Sequence, residues 1–398
     1  IWYRVGSRLE PTGLTGSSHW VEHMLFKGTP TFPASILDKA ISREGGYWNA
    51  MTHIDWTTYF ETMPADKIDL ALQLEADRMT NGLFSPAEVD SERTVIISER
   101  QGNENEPLYR LAEAVQSAAF RVHPYRHEVI GELADLQSMQ RDDLYRHYRT
   151  YYIPNNAVLA IAGDFDTAQI LERLQELYVS VPAGAAPPRP SQAEPPQEEE
   201  IQLTLQGPGE TCFIEICHHA PAANHPDFYA CVVLDSLLTG PSSLNMFGGG
   251  ISNKTSRLYR ALVDKEYAVG VYGGAQATVD PFLYSVIMTV HPKRKSEETL
   301  AAFDREIERI KQEKVTKAEI ARAIKQARAL FAYGSENITN QAFWMGYSEM
   351  FADYNWFETY LDKLSAVTVR DVQRVANEYF KTRSRVVGTY VPTGGGEV

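Results

Sequence analysis

The amino-acid sequence predicts an α+β fold built from two homologous domains, each a mainly antiparallel sheet with helices packed on one side. Three observations predict this fold. A chain of 398 residues is longer than one hydrophobic core usually supports. Residues 181–200 are rich in proline and glutamate and contain no aromatic residue, which is typical of an extended linker. The segments on either side share a residue pattern, which indicates a repeat.

The repeat is clearest near the end of each half. Seven positions between Leu133 and Val158 match seven positions between Leu361 and Val386 at a constant shift of 228 residues. The first-half members are Leu133, Leu136, Asp143, Leu144, Tyr151, Tyr152 and Val158. We therefore expect a first domain over residues 1–182, a linker over 183–200, and a homologous second domain over 201–398.

Apolar spacing and turn residues predict the order of elements in the first half. Residues 47–63 are rich in aromatic side chains and threonine, which favours a β-hairpin. Before that hairpin, the helix that contains residues 19–23 is expected to have Ser17 or Ser18 as its N-cap, because a serine directly precedes its apolar-periodic run. In chain order we predict a strand over 1–8, a loop over 11–16, a helix from Ser17 or Ser18 to near Gly28, a helix over 35–44, the hairpin, helices over 66–79, 86–103 and 141–151, a strand over 157–163, and a helix over 167–178.

Composition excludes several classes of protein. The chain is 43% hydrophobic and 23% charged, and it contains no run of about 18 apolar residues, so no transmembrane segment is predicted. A formal net charge of -14 argues against a nucleic-acid-binding surface. The cysteines Cys212, Cys217 and Cys231 form neither an even set nor a Cys-x-x-Cys pair, so we expect buried thiols rather than a disulfide framework.

The stretch His19-Trp20-Val21-Glu22-His23 carries the candidate chemistry. Residues at i, i+3 and i+4 share one face of a helix, so His19, Glu22 and His23 point the same way. Two neutral imidazoles can bind one divalent cation with the carboxylate beside it. This order inverts the commoner His-Glu-x-x-His motif and is the inverzincin signature. Taken alone, the same residues also fit a solvated helix face.

The helix predicted over 86–103 carries two more candidate acids. Glu92 and Glu99 are seven residues apart, which places them on nearly the same stripe of that helix. The second half contains no His-x-x-Glu-His, so only the first half can form this kind of site. His53 and the pair His218-His219 lack helical ligand spacing with a carboxylate, and we interpret them as structural.

Together these motifs resemble those of the pitrilysin-like zinc peptidases, especially the branch of bacterial and mitochondrial-processing peptidases. The resemblance spans nearly the whole chain. It rests on residues 16–29, Gly45-Gly46-x-x-Asn49-Ala50-x-Thr52-x-x-Asp55-x-Thr57, Glu92-Arg93-x-Val95-Ile96-x-x-Glu99, His123-Pro124-Tyr125 and Tyr152-x-Pro154-x-Asn156. In that family a glutamate at this distance from the second histidine is the third zinc ligand, and 75 residues separate His23 from Glu99.

The resemblance implies a zinc-dependent endopeptidase that cleaves peptides or unfolded protein segments held between its two domains. His19, His23 and Glu99 would bind Zn²⁺, which leaves one position of a tetrahedral ion for water, as a catalytic site requires. Glu22 would be the catalytic base that takes a proton from that water. Glu92 is better interpreted as a hydrogen-bond acceptor for a ligand histidine, although an exposed helix glutamate is the alternative.

The resemblance also implies how a peptide substrate is held. Asn49 and Ala50 would lie on an edge strand near the zinc and bind the peptide by backbone pairing. In active family members the second domain supplies an arginine and a tyrosine. Spacing alone selects Arg260 and Tyr267, whereas alignment on Ser256-Arg257-Leu258-Tyr259 places Val263 and Gly270 at those positions.

We therefore expect a dimer, and specifically a heterodimer with a homologous subunit that supplies the arginine and tyrosine. A homodimer that uses Arg260 and Tyr267 is the alternative. A non-catalytic assembly subunit, like the core subunits of respiratory complexes, is the rival function, but all four motif residues are present.

Two further expectations concern parts of the chain with weaker signals. Phe247-Gly248-Gly249-Gly250 is not followed by Gly-Lys-Ser/Thr, so it does not predict a phosphate loop, and it resembles the loop before a helix in the family's second domain. The chain starts at Ile1 inside a predicted strand, which indicates an upstream segment and leaves the compartment open between bacterial cytoplasm and periplasm.

Overall fold

The structure is a computed structural model that describes residues 1–189, 193–241 and 252–394. It divides into two compact units. The first comprises Ile1–Gly102, His127–Gln192 and Met345–Met350, and the second comprises Asn103–Arg126, Ala193–Trp344 and Phe351–Val398. The glycine-rich run over 247–250 lies outside the described residues. Both units combine a sheet with helices, which confirms the predicted α+β class.

Nine strands form the two sheets within the described ranges. In chain order they are β1 (Trp2–Tyr3), β2 (Tyr47–Thr52), β3 (Thr57–Thr62), β4 (Ala157–Val158), β5 (Ile201–Gly207), β6 (Phe213–Ala220), β7 (Ala268–Ala275), β8 (Phe282–Val290) and β9 (Arg385–Pro392). The first sheet has the order β2-β3-β1-β4 with every pairing antiparallel, so β2 is an edge strand. The second has the order β5-β9-β6-β8-β7, in which only β5 and β9 pair in parallel.

The helices follow the predicted order in the first half. In chain order the α-helices are α1 (Ser17–Met24), α2 (Ala34–Arg43), α3 (Ile68–Asn81), α4 (Pro86–Glu104), α5 (Pro107–Ala119), α6 (Leu133–Ser138), α7 (Arg141–Tyr151), α8 (Thr167–Tyr178), α9 (Phe228–Leu238), α10 (Ser296–Gln312), α11 (Lys317–Tyr333), α12 (Ile338–Phe351), α13 (Tyr354–Ala366) and α14 (Val369–Tyr379). Within the ranges that the structure describes, none of these helices combines the length and apolar character needed to cross a bilayer.

The sheet of the second unit has helices on both faces rather than on one side as expected. On one face, Gly388 of β9 lies so close to α5 that an added Cβ would be 2.4 Å from Val115. On the other face, the ring of His218 lies 4.9 Å from the ring of Phe380, which follows α14. The pattern of the second half did not predict this arrangement because α5 precedes that half in the sequence.

The repeat has a direct counterpart in the element bounds. Helices α7 and α14 are each 11 residues long, and they begin at Arg141 and Val369, which are 228 positions apart. Strands β4 and β9 begin at Ala157 and Arg385 with the same offset. These matching bounds are what a repeated helix and strand requires. The described residues of the expected linker, 183–189 and 193–200, form neither helix nor strand.

The core of the first unit lies between its sheet and its helices, which include α1. It is built from apolar and aromatic side chains of β1, α1, α3, α4 and α7. The three cysteines of the second unit are free thiols, of which Cys217 and Cys231 are buried and Cys212 is half-buried.

Candidate metal centre

Helix α1 starts at a backbone turn that requires glycine. Gly16 is the N-cap, with a φ of 86°, and an added Cβ would be 2.5 Å from the Ile130 carbonyl oxygen. The buried carboxylate of Glu10 accepts hydrogen bonds from the N–H groups of Gly16 and Ser18, both at 2.7 Å. Burial raises the pKa of Glu10 to about 8, although these hydrogen bonds lower it.

The expected N-cap role of Ser17 or Ser18 is therefore wrong. Their hydroxyl groups instead contact His147 of α7, at 3.4 Å from Nδ1 and 3.1 Å from Nε2 respectively. Both serines are buried, so they pack the start of α1 against α7 rather than close its first turn. The helix ends at Met24, earlier than the expected end near Gly28.

The two faces of α1 have opposite roles. Trp20, Val21 and Met24 are fully buried in the core of the first unit. This apolar stripe sets the rotation of the helix, and the remaining face presents His19 and His23 together, with their ring centroids 4.6 Å apart.

Glu99 of α4 reaches the two imidazoles. Its carboxylate oxygens lie 3.9 Å from Nε2 of His19 and 3.8 Å from Nε2 of His23. Within the part of the chain that the structure describes, these residues form the only group of three or more histidine, cysteine or acidic side chains that could hold a metal, with ligand atoms within 4.8 Å of one another. The two distances exceed a hydrogen bond and approach the separation of about 3.3 Å between two ligands of a tetrahedral zinc. The donor set therefore fits a zinc ion.

Glu92, two turns before Glu99 on α4, lies behind His23 rather than beside the ligand atoms. Nδ1 of His23 donates a hydrogen bond to its carboxylate at 3.0 Å, and the ammonium group of Lys27 pairs with the same carboxylate. The donation fixes the histidine tautomer and leaves the Nε2 lone pair free for a metal.

His19 is held in the neutral form that binds a metal. Burial, with a smaller contribution from His23, lowers its pKa to about 3. Its Nδ1 is buried and has no hydrogen-bond partner among the described residues. No neighbouring carboxylate therefore orients this ring as Glu92 orients that of His23.

The Glu22 carboxylate is hydrogen-bonded to Thr52, the last residue of strand β2. Its Oε2 accepts a hydrogen bond of 2.6 Å from the Thr52 hydroxyl, and the Thr52 backbone also bonds to this carboxylate. Only 8% of Glu22 is exposed. Burial raises the pKa of Glu22, and the bonds from Thr52 oppose that increase. A carboxylate with raised proton affinity is suited to accept a proton.

Sequence reasoning assigned no role to Thr52 or Lys27. The strand period offered a signal for Thr52, because Ala50 and Thr52 lie on the same face of β2. No comparable signal exists for Lys27, since its pairing with Glu92 arises from the packing of distant segments.

The edge of β2 presents open backbone groups near Glu22. Tyr59, the cross-strand partner of Ala50, exchanges both of its backbone hydrogen bonds with Ile1 on its other side. In an antiparallel ladder, the N–H and C=O groups of Ala50 must then face the open edge. The side-chain oxygen of the exposed Asn49 accepts a hydrogen bond of 2.9 Å from the Ala50 N–H.

The other histidines considered from the sequence lie outside the ligand group. His53 stacks on Trp56 with ring centroids 4.8 Å apart, His218 is buried against Phe380, and Nε2 of His219 donates to the Ala119 carbonyl at 2.8 Å.

In the second unit, Arg260 is exposed and the Tyr267 ring is packed against two arginines. The guanidinium carbon of Arg294 lies 4.6 Å from the ring centroid, and that of Arg305 lies 5.8 Å from it. Val263 and Gly270, which the alternative alignment selected, are both half-buried.

Comparison with known proteins identifies the family. The family model described as "Insulinase (Peptidase family M16)" matches residues 1–132, and the model described as "Peptidase M16 inactive domain" matches residues 138–327. The chain belongs to the peptidase M16 family, which includes insulinase and pitrilysin, and the predicted family is confirmed.

Within that family the chain is similar to bacterial zinc proteases. It is 29% identical over 399 residues to the zinc protease PqqE of Helicobacter pylori, covering 97% of this chain and 86% of the relative. A crystal structure of a protease from Helicobacter pylori matches with a TM-score of 0.91 and 28% identity, over 98% of this chain and 92% of that one. A probable mitochondrial-processing peptidase subunit beta of Arabidopsis thaliana is 24% identical over 98% of this chain and 73% of its own length.

Proposed function

We propose that this protein is a zinc-dependent endopeptidase that hydrolyses peptides or unfolded protein segments. The observation that carries the proposal is the convergence of His19, His23 and Glu99 on one point, with the buried carboxylate of Glu22 on the same helix face as the histidines. The M16 family and the zinc proteases among the relatives support the same function. Residues 1–182 would be the catalytic domain and residues 201–398 its homologous, non-catalytic counterpart.

His19, His23 and Glu99 would hold the zinc ion. When bound, zinc would act as a Lewis acid that lowers the pKa of a water ligand and polarises the scissile carbonyl. Glu22 accepts a proton from the attacking water and returns it to the leaving amine. The hydrogen bond from Thr52 holds the Glu22 carboxylate in one orientation, and Glu92 holds the ring of His23.

Strand β2 would bind the peptide. The Ala50 N–H and C=O groups face the open edge, so an extended peptide can pair with them as an additional strand. In the structure the Ala50 N–H donates to the Asn49 side-chain oxygen. On peptide binding, this N–H would donate to a peptide carbonyl instead. Because Thr52 on the same strand holds Glu22, the peptide backbone and the base share one support.

The rival function is a non-catalytic assembly subunit of the same family. A subunit without activity does not need a proton acceptor beside a complete ligand set. This chain retains Glu22, both histidines and Glu99 in a compatible arrangement, which favours the enzyme.

The purified protein is expected to bind one zinc ion per chain and to hydrolyse an unstructured fluorogenic peptide, alone or together with a homologous subunit. Removal of the metal with 1,10-phenanthroline should lower hydrolysis by at least about 100-fold, because the residues alone lack a Lewis acid. Zinc titration should restore the rate. Hydrolysis that is unchanged in metal-free protein, or a protein that takes up no zinc, would contradict the proposal.

We further propose that the active form is a heterodimer with a homologous subunit that supplies an arginine and a tyrosine. In this chain, the ring of Tyr267 is already packed against Arg294 and Arg305. The chain alone is therefore expected to hydrolyse peptides only weakly, and a homologous subunit should restore the rate. Arg260→Ala and Tyr267→Phe should leave the restored rate within about twofold, as expected for residues without a transition-state contact.

The alternative makes the opposite prediction in the same assay. A homodimer that uses its own Arg260 and Tyr267 would hydrolyse the peptide robustly without a second subunit, and both variants would lose that activity. Size-exclusion chromatography with light scattering of the same samples reports whether the chain associates with itself or with the added subunit.

A further inference from the structure

A buried arginine lies behind the strand proposed to bind the peptide. Arg78 of α3 is fully buried, and its guanidinium carbon is surrounded by three aromatic rings. It lies 4.6 Å from the ring centroid of Tyr59, 5.2 Å from that of Trp48 and 5.5 Å from that of Phe26. All three distances are within the range of an attractive cation–π interaction, which is strongest where water is excluded.

These rings belong to the elements that build the candidate site. Trp48 is on β2, two residues before Ala50, and Tyr59 is the cross-strand partner of Ala50 on β3. Phe26 lies two residues after the end of α1, and its ring lies 4.7 Å from that of Trp48. One guanidinium group therefore contacts the β2–β3 hairpin and the segment that follows α1.

Two buried carboxylates face the same guanidinium. Glu75, one turn earlier on α3, lies 3.3 Å from Nη1, and Glu61, which pairs with Trp48 across the hairpin, lies 3.9 Å from Nη2. None of the three guanidinium nitrogens has a hydrogen-bond partner among the described residues. The position of the Arg78 head group is thus set by ring faces and charge, not by directional bonds.

We propose that Arg78 is a positioning residue for peptide binding, which acts through the rings of Trp48 and Tyr59 to fix the open edge of β2. This inference rests on the proposed function, because it assigns the supporting contact of the strand that would bind the peptide. Arg78 itself is buried and would not touch the peptide.

A lysine cannot replace the arginine in this role. A planar guanidinium can lie against several rings at once, whereas an ammonium group is a compact, strongly hydrated charge. Arg78→Lys keeps the charge opposite Glu61 and Glu75 but loosens the contact with the rings. The expected consequence is a displaced β2 edge around Trp48 and Ala50 and weaker backbone pairing there, with the hydrogen bond from Thr52 at the other end of β2 to Glu22 and the ligand residues on α1 and α4 unchanged.

Peptide affinity is the appropriate readout because it does not depend on turnover. In a Glu22→Gln background, fluorescence anisotropy with a labelled unstructured peptide should show a Kd about tenfold higher for Arg78→Lys, within the range of a desolvated cation–π contact. In the active protein, the same substitution should raise KM about tenfold and change kcat by less than about twofold, since it removes binding common to ground and transition states. Zinc content should not change.

A double-mutant cycle separates positioning from general destabilisation. Trp48→Leu should also weaken peptide binding, and adding Arg78→Lys to it should have little further effect, because both remove the same contact. Arg141→Lys is the matched control: its guanidinium carbon lies 4.2 Å from the Tyr145 ring centroid in the same unit but away from β2. This control should leave Kd within about twofold of the parent, because the ring that Arg141 contacts belongs to α7 and not to β2.

Several outcomes would overturn the inference. These are a folded Arg78→Lys variant with an unchanged Kd, additive effects of Arg78→Lys and Trp48→Leu, or an equal loss in Arg141→Lys. If Arg78→Lys fails to fold by circular dichroism, Trp48→Leu alone decides, and unchanged binding overturns the inference. If the Glu22→Gln parent binds no peptide either alone or with the homologous subunit present, the proposed function itself fails, which is distinct from a parent that binds and an Arg78→Lys variant that binds equally well.

Discussion

Replacing Glu22 by glutamine is expected to abolish peptide hydrolysis while leaving zinc bound. The substitution preserves the size of the side chain and an oxygen that accepts the hydrogen bond from Thr52, so the local geometry should persist. It removes only the ability to accept a proton. Loss of a general base typically lowers the rate by about 10²–10⁴-fold, and we expect a kcat loss in this range.

The measurement compares zinc content, peptide affinity and kcat of the variant and the parent. Glu132→Gln is a matched control, because Glu132 is exposed in the same unit. This control should hydrolyse at the parent rate. A Glu22→Gln variant that cleaves peptides at close to the parent rate would show that Glu22 is not the base, whereas loss of zinc in this variant would show that Glu22 contributes to metal binding.

Replacing Glu99 by alanine is expected to remove most of the zinc affinity, and more than replacing Glu92 does. Glu99 lies between the Nε2 atoms of His19 and His23, so its loss would remove the third proposed ligand atom. Glu92 contacts only the far nitrogen of His23, and loss of such a supporting acceptor typically costs about 10–100-fold in metal affinity. The Glu99→Ala variant should bind zinc roughly tenfold more weakly again.

Competition with a zinc chelator of known affinity measures both variants on one scale. Because Glu92 is also paired with Lys27, Lys27→Met serves as a control for the loss of that ion pair alone. Equal zinc affinities of Glu92→Ala and Glu99→Ala would refute the assignment of Glu99 as the ligand. A larger loss in Glu92→Ala would reverse the two roles.

The sequence was sufficient to predict the local grouping at the site. The period of an α-helix places His19, Glu22 and His23 on one face whenever the stretch is helical, and the apolar residues between them predict which face is buried. The same period places Glu92 and Glu99 on one stripe of α4. The family followed from these motifs together, because the His-x-x-Glu-His stretch alone is also compatible with a solvated helix face.

Only the tertiary structure distinguished the two glutamates by their surroundings. Both lie on one stripe, but the packing of α4 against α1 buries Glu92 beside Nδ1 of His23 and Lys27, and it leaves Glu99 beside the two Nε2 atoms. The helical period alone carries no information about which of two equivalent positions faces a neighbouring helix, and in the sequence only the family resemblance separated Glu99 from Glu92. The orientation of the His23 ring is decided by the same long-range contact.

The start of α1 and the support of β2 also depended on the tertiary structure. Sequence preference favoured a serine cap, but His147 takes the hydroxyl groups of both serines and Glu10 bonds to the first N–H groups instead. The surroundings of Arg78 come from α3, β2, β3 and the segment after α1, which are brought together only by folding. The sequence by itself therefore determined which residue types could form a zinc site and on which face of each helix they lie. Packing between distant segments decided which carboxylate meets which nitrogen, because those distances depend on contacts that no local period encodes.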